Sequence, residues 1–287
     1  MHKFLRAIGF SDITKKDLEM ILDEVITRPE IMKITKDSEG NEFAELSGSF
    51  AANAGITVRG TYQEDDSFHM DYYYPYVFGT SITTNEQIDV EKHAEKESYA
   101  GVCDEVNLGV TLIFYIQNVA DYLAETNRHL SKIHYGAMLA GLSTEGKILC
   151  PVVERKKNDV PAIQKNDRHN QLIAQAREGD EDAIESLTLE DMDTYALLSQ
   201  RVMKEDIFSI VKSTFMPFGI ESDQYTVLGE IIDCVTMENK LTHEKLYGMK
   251  LLCNNIQFDV CINEKDLLGE PAIGLSLIHI SEPTRPY

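Results

Sequence analysis

The sequence predicts an α+β protein: a mainly antiparallel N-terminal sheet with helices, an acidic helical connector and a small C-terminal β-barrel. Apolar residues alternate with a period of two in several segments between residues 56 and 153 and again between 225 and 262, which indicates strands. Helical spacing appears at 14–26 and 170–215. With 287 residues, 43% of them apolar, the chain can bury a core.

The first helix is predicted after Thr14, which forms a capping-box pattern with Asp17. Apolar residues then recur at helical spacing on one face, and Pro29 ends the helix. Such a helix is expected to dock on its own core.

A β-hairpin is predicted from residues 56–62 and 68–78, with Pro75 favouring an edge strand. The aromatic row of the second strand divides between two faces. One face, with Tyr72, Tyr74 and Tyr76, is expected to be core, and the other, with Tyr73 and Val77, is a possible interaction surface. The favoured alternative is a row that packs both sides of a covered sheet.

The rest of the N-terminal domain, 1–153, is predicted from simpler patterns. Residues 86–105 are rich in acids and suggest a solvated stretch, 110–116 a buried strand, and 118–130 a helix. A second hairpin is expected around Ser143-Thr-Glu-Gly146.

The second half of the chain is predicted to contain a polar linker, 154–169, a helical connector, 170–219, and a barrel domain, 220–274. Asn254-Asn255 marks a tight turn between two barrel strands. Three strand patterns leave the barrel type open between OB-like, SH3-like and a meander.

The C-terminal residues 275–287 are expected to be a non-native tail. LSLIHISEPTR, 275–285, resembles the in-frame translation of a sequencing-library adapter. The barrel would then lack its closing strand, and the tail would fill the gap poorly or stay loose.

The charge balance disfavours nucleic acid as a partner, because 48 acids against 27 bases give a net charge of −21. No apolar run is long enough to cross a membrane, and no signal peptide is evident, so a cytoplasmic location is expected. The five cysteines include no C-x-x-C pair and are interpreted as reduced thiols.

No catalytic, cofactor-binding or metal-binding residue is assigned from the sequence. The chain has no G-x-G-x-x-G, no P-loop and no H-E-x-x-H motif. Gly141-Leu-Ser143-Thr-Glu-Gly146 misses the glycine that a nucleophile elbow needs two residues after the serine. His129 and His134 have a poor spacing for a helical metal site, and His93 lies in an acidic stretch.

Several segments resemble an uncharacterised bacterial family, domain of unknown function 3881. They are MHKFLRAIGF at the start, EDAIESLTLEDMDTYALLSQR at 181–201, ESDQYTVLGEI at 221–231 and CNNIQFDVCINEKDLLGEP at 253–271. The resemblance spans Met1 to Gly274. It implies a native ending with a basic-aromatic stretch and a closing strand that carries a tryptophan, and it implies no activity.

Three functions follow as hypotheses. The first is a non-enzymatic interaction or regulatory protein with an unknown protein partner, and it depends mainly on the missing catalytic motifs. The second is an enzyme whose dispersed residues meet between the two domains. The third is RNA binding through the C-terminal barrel, which would need a local basic strip.

Overall fold

A computed structural model describes residues 2–92, 96–105, 107–127, 136–149, 213–218 and 224–282. These residues belong to one compact unit that consists of Met1–Cys150 and Ser213–Tyr287. The described part is α+β, as predicted, and most of it is sheet. The predicted linker and the connector up to residue 212 lie outside the described residues.

The N-terminus forms a 3-10 helix, Lys3–Ile8, and a first α-helix, α1, Lys15–Thr27. The hydroxyl of Thr14 accepts a 3.2 Å hydrogen bond from the backbone N–H of Asp17, so the predicted cap is confirmed. The helix ends before Pro29, and its apolar face is buried: Leu18, Ile21, Leu22 and Val25.

The first sheet contains four antiparallel strands in chain order, and it confirms the predicted hairpin. They are β1, Ile31–Lys36; β2, Glu42–Ala51; β3, Ala54–Tyr62; and β4, Phe68–Val77. β4 lies at one edge, as Pro75 predicted, because proline has no N–H for a further strand. β1 lies at the other edge. The sequence analysis did not identify β1 or β2.

A second, three-stranded sheet follows, and with it a second helix. Its strands are β5, Asp89–Lys92; β6, Tyr99–Glu105; and β7, Val110–Tyr115, and the helix is α2, Val119–Asn127. The predicted strand at 110–116 and the helix are confirmed within the described residues. The acidic stretch 86–105 is only partly solvated, since it contributes β5 and β6.

The third sheet has seven strands and is barrel-like. They are β8, Ala140–Leu149; β9, Thr214–Pro217; β10, Tyr225–Glu238; β11, Lys245–Cys253; β12, Ile256–Asn263; β13, Leu267–Leu268; and β14, Ser276–Glu282. Pairings run from β10 through β11, β12, β8 and β14 back to β10. Asn254 and Asn255 have φ of 46° and 68°, so the predicted tight turn is confirmed.

The structure corrects two local predictions. The prediction of a hairpin around Ser143-Thr-Glu-Gly146 is wrong, because β8 is one continuous strand with partner strands on both sides. Residues 214–217, predicted as the end of a helix, form β9 against β10. In both cases pairing with distant strands overrides the local turn and helix patterns.

Strands from both ends of the chain therefore share the third sheet. β8 comes from the segment that the sequence analysis assigned to an N-terminal domain, and it pairs in parallel with β12. β14 comes from the segment interpreted as a tail, and it lies between β8 and β10. The barrel expected from 220–274 without a closing strand is thus completed by β8 and β14, which satisfy the backbone groups of their neighbours.

β14 carries a polar side chain into the core. His279 is buried, and neither ring nitrogen has a hydrogen-bond partner. Its register neighbours are Val227 on β10 and Gly146 on β8, and the Phe258 ring is 6.5 Å away. Burial lowers the pKa of His279 to about 3.

We expect His279→Leu to stabilise the chain, and increasingly so as the pH falls from 7 to 5. The unfolded chain binds a proton below a pKa of about 6.5, whereas the native imidazole stays neutral down to about 3, so native stability falls across this window. Urea unfolding at pH 7 and pH 5 measures the effect. An equal pH dependence of the native chain and His279→Leu would contradict it.

Candidate functional site

The two residues predicted as a possible interaction surface, Tyr73 and Val77, lie on the covered face of the first sheet. Val77 is only 4% exposed and belongs to the main core under the 3-10 helix and α1. Tyr73 is half-buried against the same core, and the backbone N–H of His2 donates to its hydroxyl at 3.4 Å. The side chain of Val77 is therefore inside the core, and that of Tyr73 lies half-buried at its border.

The opposite face of the same sheet is covered as well. Tyr72, Tyr74 and Tyr76 form a buried cluster of their own. The hydroxyl of Tyr72 donates to the carbonyl of Glu97, and that of Tyr74 donates to the carbonyl of Gln117. Residues between β5 and α2 therefore close over the aromatic row.

A buried arginine lies beneath this cover, and sequence reasoning missed it. Arg59 is 2% exposed, and its guanidinium carbon lies 4.7 Å from the ring centroid of Tyr74. Arg59 Nε donates to Glu45 Oε2 at 3.0 Å, and a terminal nitrogen lies 2.9 Å from the same oxygen. The same carboxylate oxygen accepts the N–H of Ala120 in the first turn of α2 at 3.3 Å, where the helix dipole favours an anion.

The remaining donors of Arg59 hold the chain that leads into α2. One terminal nitrogen donates to the carbonyls of Gln117 at 2.7 Å and Ile116 at 3.2 Å, and the other donates to the hydroxyl of Tyr72 at 3.0 Å. Arg59 therefore links β3 to β2, to β4 and to the residues that precede α2. Its role in the described part is structural.

The electrostatics keep Arg59 charged. Burial lowers its pKa, but Tyr74, Glu45 and Tyr72 outweigh this effect, so the pKa lies above its ordinary value. Burial is also the main reason why the pKa of Tyr74 is well above 10. Near neutral pH, Arg59 therefore stays charged and Tyr74 stays protonated.

A second polar cluster surrounds the carboxylate of Glu97. It accepts hydrogen bonds from Lys92 at 2.8 Å, from the hydroxyl of Tyr99 at 2.5 Å, and from the hydroxyl and N–H of Ser38. Burial opposes the charge of Glu97, but these donors lower its pKa below the ordinary value. Glu97 therefore stays ionised.

Ser38 and Lys92 in this cluster look like a serine–lysine pair, since Nζ of Lys92 lies 2.8 Å from the serine oxygen. Nζ of Lys92 also lies 2.8 Å from a carboxylate oxygen of Glu97. Both members of the pair are thus held by the carboxylate of Glu97.

Burial is the first cause of a raised pKa at each thiol in the described part. Burial raises the pKa of Cys253 and Cys261 to about 12, so both remain protonated thiols at neutral pH. Burial also raises the pKa of Cys103 and that of Cys234. Cys150 lies outside the described residues.

No group of three or more potential metal ligands occurs among the residues that the structure describes. The histidines weighed from the sequence, His93, His129 and His134, lie outside them. A small apolar cavity of about 30 Å³ is lined by residues of β7 and the third sheet, with Phe114, Phe215 and Phe258 among its walls. It has room for about one water molecule, far below the roughly 300–1,000 Å³ of ligand pockets.

The most exposed apolar side chains on a strand of the first sheet are on β1. Ile31, Met32 and Ile34 are 43%, 50% and 48% exposed. Met32 and Ile34 lie opposite Leu46 and Ala44 of β2, on the side of the main core, and Ile31 lies on the other side. We call this six-residue strand, with its unpaired side, the β1 edge.

None of the helices in the described ranges is long and apolar enough to span a membrane.

Comparison with protein-family models matches residues 5–277 to the family described as "Domain of unknown function, E. rectale Gene description (DUF3881)". The match covers most of the chain. The chain belongs to this family. No curated protein and no solved structure matches it. The DUF3881 assignment agrees with the resemblance seen in the sequence, and its description gives no activity.

Proposed function

We propose that this DUF3881 protein acts by binding, as a non-enzymatic interaction or regulatory protein. The observation that carries the proposal is the β1 edge, which offers three half-exposed apolar side chains beside backbone groups that no described strand pairs. Exposed apolar strand edges are normally blunted or covered in proteins that work alone.

The polar clusters of the described residues support the same proposal. Three carboxylates, those of Glu45, Glu97 and Glu244, accept hydrogen bonds from other side chains of the same chain. The donors to Glu244 are Ser11, Asn263 and Lys265. Their side chains are thus engaged in holding the fold together.

The two alternatives have less support in the described part of the chain. The enzyme alternative places its site between the predicted N-terminal and barrel domains, but the described residues of both belong to one compact unit. RNA binding through the barrel would need exposed aromatic faces for base stacking, but Tyr225, Tyr247 and Phe258 are all buried.

Stoichiometry separates binding from catalysis. A pull-down with the full chain, followed by identification of the retained proteins, supplies the partner. Calorimetry with the purified partner should then show saturable binding at a fixed molar ratio of partner to protein. In parallel, substoichiometric protein is incubated with a cell metabolite extract. We expect no compound to be consumed in molar excess over the protein. Such consumption would show turnover and overturn the proposal.

A further inference from the structure

We propose that the strand position between β8 and β10, which β14 fills and which we call the β14 slot, is a binding site for an extended segment of another polypeptide. The segment replaces β14, runs antiparallel to both neighbours and carries apolar side chains at both core-facing positions. The β14 slot is separate from the β1 edge, and this inference goes beyond the proposed function without resting on it.

The observation that points to an exchange is the poor fit of His279. Its side chain is 2% exposed, and neither ring nitrogen has a hydrogen-bond partner. Val227 and Gly146 lie opposite it on β10 and β8, and the ring of Phe258 on β12 lies 6.5 Å from its own. A buried imidazole in such surroundings loses its hydrogen bonds to water without replacement. β14 therefore brings one polar side chain that the slot does not satisfy.

The other core-facing position of β14 shows which side chains the slot accepts. Leu277 is fully buried opposite Gly229 on β10 and Ile148 on β8, in a core cluster that also contains Val227. Leu277 and His279 point to the same side, because side chains alternate along a strand. A segment with apolar residues at both positions would complete this core.

The backbone hydrogen bonds do not oppose the exchange. β14 pairs with β10 over residues 276–281 and with β8 over residues 276–282. An incoming strand that runs in the same direction forms both ladders again, since these bonds depend on the backbone alone. The side chains at the two core-facing positions therefore decide which strand is held.

The connection that leads into β14 lies at the surface. Residues 268–270 and 272–274 are exposed, and backbone hydrogen bonds join Gly274 and Leu275 to Ile231. The pairings of β10 with β11, of β11 with β12 and of β12 with β8 do not involve β14. β14 can thus leave the slot while these strands stay paired.

Two observations favour a different polypeptide as the fitted occupant. A second copy of this chain would bring the same histidine, so an exchange of β14 between copies gains nothing at this position. The family match ends at residue 277, and it therefore includes Leu277 but not His279. The misfit lies in the part of β14 outside the matched range.

The test titrates a dye-labelled, end-capped peptide, Lys-Lys-Ser-Leu-Ile-Leu-Ile-Ser-Glu, against the full chain at pH 7. This leucine peptide repeats residues 276–282 with leucine in place of the histidine, and a matched histidine peptide keeps it. β14 competes from the same chain at an effective concentration of the order of 1 mM, so we expect the leucine peptide to half-saturate the chain at or below about 0.1 mM. The histidine peptide should bind at least tenfold more weakly.

One variant and one control locate the binding. His279→Leu lets β14 fit as well as the peptide does, so it should weaken binding of the leucine peptide at least tenfold. Val235→Thr changes an exposed residue of β10 that pairs with β11, outside the slot, and should leave binding unchanged. Hydrogen exchange at 276–282 should become faster when the peptide binds, while β8 and β10 stay protected. Urea unfolding confirms that both variants fold.

Four results would overturn the inference: no saturable binding of the leucine peptide, equal binding of the histidine peptide, unchanged binding after His279→Leu, or binding without faster exchange at 276–282. The last result would place the peptide at another surface, such as the β1 edge. If the leucine peptide fails while the pull-down yields a partner that binds without turnover, the proposed binding function stands and strand exchange at the β14 slot is refuted.

Discussion

Arg59→Met is expected to lower the free energy of unfolding by about 3–5 kcal/mol, the range for breaking one side of a buried ion pair. Methionine keeps the apolar stem against Tyr74 but leaves the carboxylate of Glu45 buried without its cation. The carbonyls of Ile116 and Gln117 lose the guanidinium donor as well, and only the hydroxyl of Tyr74 still donates to Gln117, so the entry to α2 should loosen. Urea unfolding of the full chain measures the loss.

A double-mutant cycle isolates the ion pair from these other contacts. Arg59→Met/Glu45→Gln should cost less than the sum of its single variants, because the second change removes the stranded charge. Lys33→Met, which breaks an exposed pair with Asp121, should cost no more than about 1 kcal/mol. Additive single costs at Arg59 and Glu45 would show that the two charges are not coupled.

The sequence predicted the parts of this fold whose signals are local. The cap at Thr14, the β3–β4 hairpin and the Asn254-Asn255 turn each follow from a few adjacent residues, and each is confirmed. β8 could not be predicted in this way. Its pairing with β12 and β14 joins segments more than 100 residues apart, and its local sequence resembles a turn.

The polar interior was missed for a related reason. Thr57, Arg59 and Thr61 alternate with apolar residues, which is the ordinary pattern of a strand with one solvated face. Only the tertiary structure shows that α2 and the residues around Glu97 cover that face. An arginine in the middle of an apolar, glycine-containing strand was the available signal, and it becomes informative once Glu45 is known to lie opposite on β2.

The β1 edge could not be predicted from its sequence either. Two lysines among Ile31, Met32 and Ile34 give no clean alternation, and the strand follows directly after the proline that ends α1. It lies at an edge of the first sheet, beside β2, which is buried along most of its length. Exposure is a property of the packed chain, so a pattern of residue types could not supply it.

Gly55→Ala should cost about 3 kcal/mol or more, because the backbones of β2 and β3 approach too closely there for a side chain. A Cβ at Gly55 would lie 2.0 Å from the carbonyl oxygen of Gly48 and 2.8 Å from the hydroxyl oxygen of Tyr76. The first contact is with backbone, which can move only if the β2–β3 ladder shifts. The variant should unfold at lower urea concentration and lose exchange protection along β2 and β3 first.

Gly248→Ala is the matched control, since it places the same methyl group on another strand. Its nearest contact is Cε of Met237 at 3.1 Å, the far end of a flexible side chain that can rotate away. We expect a change within about 1 kcal/mol. The contrast between the two alanines tests backbone proximity separately from any general cost of replacing glycine in a strand. Equal effects would mean that the β2–β3 hairpin tolerates a wider spacing, and the close approach at Gly55 would then have no part in holding the first sheet together.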